Sequence, residues 1–337
     1  MKILVDNVIP FIEGLLERLP GVDSVEYVAP EYFTAENVAD ADALFVRTRT
    51  RCNASLLEGS RVKFIATATI GLDHIDRDWC ADNGIFATNA PGCNAPGVAQ
   101  WVFAAIAQCL PDCRPQETTL GIVGVGHIGR VVEAWARAIG FRVLLNDPPR
   151  EAAEGPEGFV SLDTIAREAD IVTFHTPLSR PPYPWPSWHL CGADFLSKLE
   201  RKPVILNAAR GPVVDTASLI AAYKAGLTGK LAIDTWEGEP VISKELMNIA
   251  TVATPHIAGY SLQGKQRATA MTVNYFREFI GLPRDKQLEA AIRMPEAPAS
   301  VADVARSYDI LADDRMYRLA PDDMERLRDS YDFRNEP

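Results

Sequence analysis

Three strand-like stretches late in the chain each end in a residue that hydride chemistry can use. VILNAARG (204–211) puts Arg210 just past one apolar run. LAIDTWEGEP (231–240) puts Asp234, Glu237 and Glu239 past the next, and ATPHIAGY (253–260) puts His256 past the third. Oxidising a 2-hydroxy acid needs a cation for the carboxylate, a base for the hydroxyl proton and a neighbour that orients the base. Arginine grips a carboxylate through two parallel hydrogen bonds. Histidine titrates near neutrality, and a carboxylate bonded to it fixes its tautomer and favours its charged form. Singly, each residue reads as a surface charge; at successive strand ends, the set reads as a site. The other four histidines are weaker candidates. His127 lies inside a glycine loop, His175 at a strand end fits a structural or a functional role, and His74 and His189 fit solvated or capping positions.

A cofactor loop precedes these strand ends. Gly124-Val125-Gly126-His127-Ile128-Gly129 fits GxGxxG, follows the strand-like GIV, opens the helical RVVEAWARAIG, and is followed by Asp147, 21 residues after Gly126. In that context the glycines serve a tight turn, close approach to a pyrophosphate and helix–strand packing. The helix N-terminus offers N–H groups to phosphate. Asp147 suits a ribose 2′-hydroxyl and repels a 2′-phosphate, so NAD is expected rather than NADP, with Arg150 the one residue that could moderate this. The six cysteines are scattered without a CxxC pair, so no metal site is expected, and free thiols suit a reducing cytoplasm.

The elements that position these residues follow from apolar patterning. At 337 residues, two domains are expected. Residues 2–6, 25–29, 43–48, 63–69 and 84–88 read as strands, with amphipathic helices at 11–19 and 74–83 and a long helix at 95–110. Alternation restarts at Thr119 (TLGIVGVG), and further strands follow at 142–146, 171–174, 203–207, 230–234 and 250–253, as in a Rossmann-like doubly wound α/β sheet. RPPYPWPSWHL (180–190), with four prolines, must be a rigid irregular loop. The expected division is a discontinuous unit of 1–110 with 261–281, a dinucleotide-binding unit of 111–260, and a short helical extension of 282–337, with helical runs at 301–311 and 324–331. A net charge of −11 argues against nucleic acid as a partner. No segment is long enough to be a membrane span, and MKILVDN is too short in apolar residues for a signal peptide.

GIVGVGHIGR, FHTPL, NAARGPVVD, DTWEGEP and TPHIAGY, in that order across 120–260, resemble the D-isomer-specific 2-hydroxyacid dehydrogenases. MKILVDN, KFIATATIGLDHID (63–76), APGCNAPGV (90–98), NDPPR (146–150) and HIAGYSLQGK (256–265) narrow the likeness to members that oxidise a phosphorylated four-carbon 2-hydroxy acid in vitamin B6 biosynthesis. The resemblance implies a flavodoxin-like first domain beside the Rossmann-like one. It implies Arg210 as carboxylate anchor, His256 as acid/base, Glu239 as its partner and Glu237 as a bystander. Implied NAD contacts are Asp147, Thr176, the Ala208, Ala209 and Arg210 backbone, Asp234 and Gly259. Implied substrate contacts are Thr48, where the subfamily usually has serine, Thr69 and Tyr260. In VRTRTR (46–51), arginines 47, 49 and 51 would share one face if the strand continued, and Arg47 is then expected to meet the substrate phosphate. A cytoplasmic homodimer is implied as well, although the tail is shorter than the subfamily's dimerisation domain. Two rival readings stay open: a relative acting on 3-phosphoglycerate, glyoxylate or hydroxypyruvate, and a non-enzymatic NAD-sensing corepressor.

Overall fold

Two all-parallel sheets organise the chain in a computed structural model that describes residues 1–337. The sheets belong to separate units, Met1–Asn94 with Ser261–Met294, and Ala95–Tyr260 with Pro295–Pro337.

In the first unit, β1 (Lys2–Asp6), β2 (Ser24–Val28), β3 (Ala43–Val46), β4 (Phe64–Thr67) and β5 (Phe86–Thr88) pair in the order β2-β1-β3-β4-β5. Strands β3 and β4 are fully buried, which is why they read as largely apolar runs. The Leu262–Phe279 helix returns to this sheet, and Phe276 meets Phe45 and Phe64 edge-on at 5.5 and 5.0 Å. Two local expectations fail. Residues 11–19 form turns rather than a helix, because Phe11 and Gly14 take positive φ (63° and 79°) just after Pro10; Ile12, Leu16 and Leu19 are buried all the same. The 74–83 helix shrinks to Arg77–Asp82, capped by Asp76. β3 also stops at Val46, so Arg47, Thr48 and Arg49 lie beyond the strand and no shared face exists. Arg47 instead donates to the Val8 carbonyl at 3.3 Å.

In the second unit, β6 (Thr119–Val123), β7 (Arg142–Asn146), β8 (Ile171–Phe174), β9 (Val204–Asn207), β10 (Leu231–Ile233) and β11 (Val252–Ala253) pair as β11-β10-β9-β8-β6-β7. The order switches direction at β6/β8, the place where such sheets bind ligands. The Ala95–Cys109 helix belongs here, so the break falls before it and not at the 111–118 linker. Apolar on every side, it buries 13 of its 15 residues, packing against the His127–Ile139 and Val301–Ser307 helices. The tail is likewise core material. From Pro295 on its helices are Val301–Ser307, Ile310–Leu319 and Met324–Asp329, while Lys286–Ala291 lies with the first unit; the expected 301–311 helix breaks at extended Tyr308. Val304, Tyr308 and Ile310 enter one apolar cluster of this unit, and Tyr317, Met324 and Leu327 another. All six cysteines are free, and no helix is long and apolar enough to cross a membrane.

Candidate active site

The glycine loop joins β6 to the His127–Ile139 helix. Gly124 sits at φ 88°, and a Cβ there would lie 2.7 Å from the Thr176 nitrogen. A Cβ at Gly129 would lie 2.1 Å from the Gly124 carbonyl oxygen. The ends of β6 and β8 are therefore drawn together under the helix N-terminus. At Gly126, by contrast, a Cβ would meet nothing within 4 Å, and His127 is exposed while Ile128 is half-buried, leaving room for a ligand against the backbone. Asp147 caps the Pro148–Glu154 helix by accepting from Arg150 N–H (3.0 Å), and its other oxygen accepts from Val125 N–H (2.7 Å). Arg150 is committed to Glu154 (2.6 and 2.8 Å) and the Val125 carbonyl (3.0 Å), so it offers little to a 2′-phosphate. A cavity of about 440 Å³ opens here, lined by Gly126, Asp147, Thr176, Tyr183 and Trp185 among others. Thr176 Oγ1 is buried without a partner. An open glycine backbone at a helix N-terminus, a flanking carboxylate and an unpaired hydroxyl fit a dinucleotide. The aromatic wall comes from the proline-rich loop, held where Ser187 Oγ donates to the Pro177 carbonyl (2.5 Å) and Trp188 stacks on His189 at 3.8 Å. A larger cavity of about 720 Å³, lined by Cys113, Arg114, Arg201 and Lys230, lies where the strands begin and brings none of the expected site residues together.

The three strand ends are tied to one another. His256, at φ 59°, presents Nδ1 to Glu239 Oε2 at 2.8 Å, and Glu239 Oε1 accepts from Trp236 N–H at 2.7 Å. Burial works to raise the Glu239 pKa, but the His256 charge and hydrogen bond, Trp236 N–H and Arg328 together hold it below its ordinary value. Glu237 turns elsewhere, to His189 Nε2 (2.6 Å) and Thr216 N–H (3.2 Å), which leaves Glu239 alone with the imidazole. Arg210 follows β9, its Nη1 donating to the Ala209 carbonyl at 2.9 Å. Asn207 shapes that turn: its Nδ2 donates to the carbonyls of Arg210 (3.1 Å) and Thr235 (3.3 Å), and its Oδ1 accepts from Ala209 N–H (3.2 Å). The β9 and β10 loops then touch so closely that a Cβ on Gly211 would sit 1.9 Å from the Trp236 carbonyl oxygen. A chain of contacts thus runs from the backbone of the Arg210 turn to that of Trp236, and from there through hydrogen bonds to the side chains of Glu239 and His256. Nε2 of His256 takes no part in that pair. His175 is no rival, because burial pushes its pKa down to about 3 and keeps it neutral.

Two clamps hold the loop that carries His256. From beneath, buried Asp234 accepts from Thr254 Oγ1 (2.6 Å), Ile257 N–H (2.8 Å) and Ala258 N–H (3.0 Å). These bonds engage both oxygens of a residue expected to touch NAD. From the tail, Arg334 donates to the carbonyls of Ile257 (3.0 Å), Tyr260 (3.2 Å), Ala258 and Gly97 (3.0 Å), and to Gln100 Oε1 (3.0 Å). Gly259 lies in the turn between them. Tyr260, an expected substrate contact, is ringed by tail residues: Tyr331 and Phe333 edge-on at 6.0 and 6.2 Å, and Arg328 Nη2 donating to its hydroxyl at 3.3 Å. Sequence reasoning missed Arg328 and Arg334; the only available signal was charge interleaved with aromatics near the C-terminus. In the first unit, Thr69 Oγ1 bonds Thr67 Oγ1 at 2.8 Å, and Thr48 is exposed in a turn.

Residues 100–258 match the family model described as D-isomer specific 2-hydroxyacid dehydrogenase, NAD binding domain. The whole chain aligns at 42% identity with 97% of an erythronate-4-phosphate dehydrogenase of Bacteroides thetaiotaomicron. It aligns at 38% identity with 92% of one of Klebsiella pneumoniae. Among solved structures, the TT0316 protein from Thermus thermophilus is similar over 84% of this chain and 98% of its own, at 27% identity and a TM-score of 0.69. A D-lactate dehydrogenase from Aquifex aeolicus, complexed with NAD and lactic acid, shares the fold over 86% of this chain and 97% of its own, at 24% identity and a TM-score of 0.66.

Proposed function

Because the chain belongs to the erythronate-4-phosphate dehydrogenases of the D-isomer-specific 2-hydroxyacid dehydrogenase family, we propose that it oxidises 4-phospho-D-erythronate to 2-oxo-3-hydroxy-4-phosphobutanoate, a step of pyridoxal phosphate biosynthesis. The observation that carries the reading is the 2.8 Å Glu239–His256 pair bound through Trp236 to the Arg210 turn. His256 Nε2 takes the C2 hydroxyl proton, and Glu239 holds the ring by Nδ1 and stabilises the imidazolium as it forms. Arg210 grips the carboxylate and polarises the C2 oxygen. NAD, when bound, supplies the hydride acceptor. Gly124, Gly126, Gly129, Asp147 and Thr176 would hold it, with the backbone of Ala208 and Ala209, Asp234 and Gly259. We assign substrate contacts to Thr48, Thr69 and Tyr260, with Arg47 the weakest of the group because its strand ends too early. On this reading the first unit is substrate-binding, the second NAD-binding, and the enzyme a cytoplasmic homodimer, a state light scattering would test.

The test compares turnover of 4-phospho-D-erythronate with that of 3-phosphoglycerate, read as formation of the 2-oxo acid product with NAD bound and 2-oxoglutarate as terminal hydride acceptor. Preferred turnover of the four-carbon substrate is expected. His256→Asn should abolish that turnover and leave NAD binding intact. Preference for 3-phosphoglycerate would reassign the substrate, and a fully active His256→Asn variant would end the mechanism.

A further inference from the structure

Arg328 is a cation without an anion. It lies in the Met324–Asp329 helix of the C-terminal tail, its Nε is buried with no hydrogen-bond partner, and no carboxylate is in ion-pair contact with it. Its one hydrogen bond is the 3.3 Å donation to Tyr260, whose ring centroid lies 5.9 Å from the guanidinium carbon. Burial works against its charge, while Tyr260, Glu239 and Asp234 favour the charged form and hold its pKa above the ordinary value. A guanidinium with unused, desolvated donors is costly unless something anionic completes it. The carboxylates that feel it do not close on it: Glu239 is spent on His256 and Trp236, and Asp234 on the 254–258 loop.

The position specifies the ligand. Tyr260 follows His256 by four residues on the loop clamped by Arg334, so Arg328 stands beside the proton-moving dyad. Arg210, on the β9 turn, serves the carboxylate in the reading above. A substrate with one more anionic group needs a second cation, and a phosphate monoester, carrying about −1.5 to −2 charges, is well matched to the planar fork of arginine. We propose that Arg328 is a specificity-determining residue that binds the phosphate of the substrate, with the Tyr260 hydroxyl beside it. The C-terminal tail then supplies part of the substrate site as well as part of the core. This rests on the activity proposed above, and it replaces Arg47 as the principal phosphate ligand.

The experiment compares 4-phospho-D-erythronate with unphosphorylated D-erythronate in the wild type, Arg328→Met and Arg328→Lys. Loss of a charge-assisted bond should raise KM for the phosphorylated substrate by about 10- to 100-fold in Arg328→Met, with part recovered in Arg328→Lys. The loss in kcat/KM for D-erythronate should be at least about five-fold smaller than the loss for the phosphorylated substrate. Equal losses on both substrates, or an unchanged KM for the phosphorylated one, would overturn the proposal. A second measurement needs no turnover: inorganic phosphate should raise the melting temperature of the NAD-loaded wild type and of Arg328→Lys, but not that of Arg328→Met. The same phosphate shift in all three proteins would also overturn it. If the wild type oxidises neither substrate, the activity reading fails, and the phosphate titration still decides the role of Arg328.

Discussion

Replacing Arg334 with alanine removes one side chain and releases the loop on which the proposed acid/base depends. The guanidinium serves four backbone carbonyls, those of Gly97, Ile257, Ala258 and Tyr260, besides Gln100 Oε1, and its Cζ lies 4.1 Å from the Tyr308 ring centroid. Each charge-assisted bond is worth roughly 1.5–3 kcal/mol, and each buried carbonyl left unpaired costs about 1–3 kcal/mol. Water entering the vacated space recovers much of this, so we expect a net loss of about 3–5 kcal/mol. In a unit of about 200 residues, that lowers the melting temperature by roughly 6–20 °C. Catalysis should suffer separately. Asp234 still binds the N–H groups of Ile257 and Ala258, but the loop's carbonyls lose their shared donor, and a displacement of about 1 Å costs on the order of 100-fold in kcat. Of the proposed NAD contacts only Gly259 lies on the released loop, so the NAD dissociation constant should change less than kcat does, by under about ten-fold. Thermal denaturation, NAD titration and steady-state turnover give the three numbers. Arg334→Lys should recover less than half of the loss, since one ammonium cannot fork among four carbonyls. A variant that melts within about 2 °C of wild type and keeps its kcat would refute the clamp.

Other perturbations discriminate the rest of the site. Glu239→Gln keeps the shape but removes the charge beside His256, and should lower kcat by about 10- to 100-fold with KM little changed; an unaltered kcat would dismiss the dyad. The depressed pKa of Glu239 gives the wild type stability that is complete above the ordinary carboxyl value near 4.5 and lost as pH falls through the lower folded value. The melting-temperature gap between wild type and Glu239→Gln should therefore narrow from pH 7 to pH 3, and a constant gap would contradict this. Gly211→Ala drives a methyl to 1.9 Å from the Trp236 carbonyl, so the Arg210 and Glu239 loops must separate. Activity should fall at least ten-fold in the turnover assay, and a fully active variant would show that their contact is dispensable. Gly129→Ala, 2.1 Å from the Gly124 carbonyl, should raise the NAD dissociation constant at least ten-fold by titration; unchanged binding would count against the loop as the cofactor cradle.

Amino-acid order by itself determined whatever rests on local pattern. Apolar runs separated by helical spacing gave the parallel sheets, with β7 and β8 bounded to the residue. The spacing of Gly124, Gly126 and Gly129 with Asp147 marked the nucleotide loop, and strand-end placement singled out Arg210 and His256 with Asp234, Glu237 and Glu239 as candidate carboxylates. Where amphipathic spacing met backbone chemistry it misled: 11–19 carries a helix-like pattern, but positive φ at Phe11 and Gly14 makes it a string of turns that still buries its apolar side chains. The resemblance chose Glu239 over Glu237 as partner of the imidazole, and only the tertiary structure gives the reason: His189, 48 residues before Glu237, takes that one away. Tertiary structure alone placed Arg328 against Tyr260 and Arg334 around the 257–260 carbonyls, pairs separated by 68 to 77 residues. Periodicity records which face of one element is apolar; it holds no record of which distant donor satisfies a loop's carbonyls, since that depends on how the tail helices bury Tyr308, Tyr317 and Leu327 in the second unit's cores.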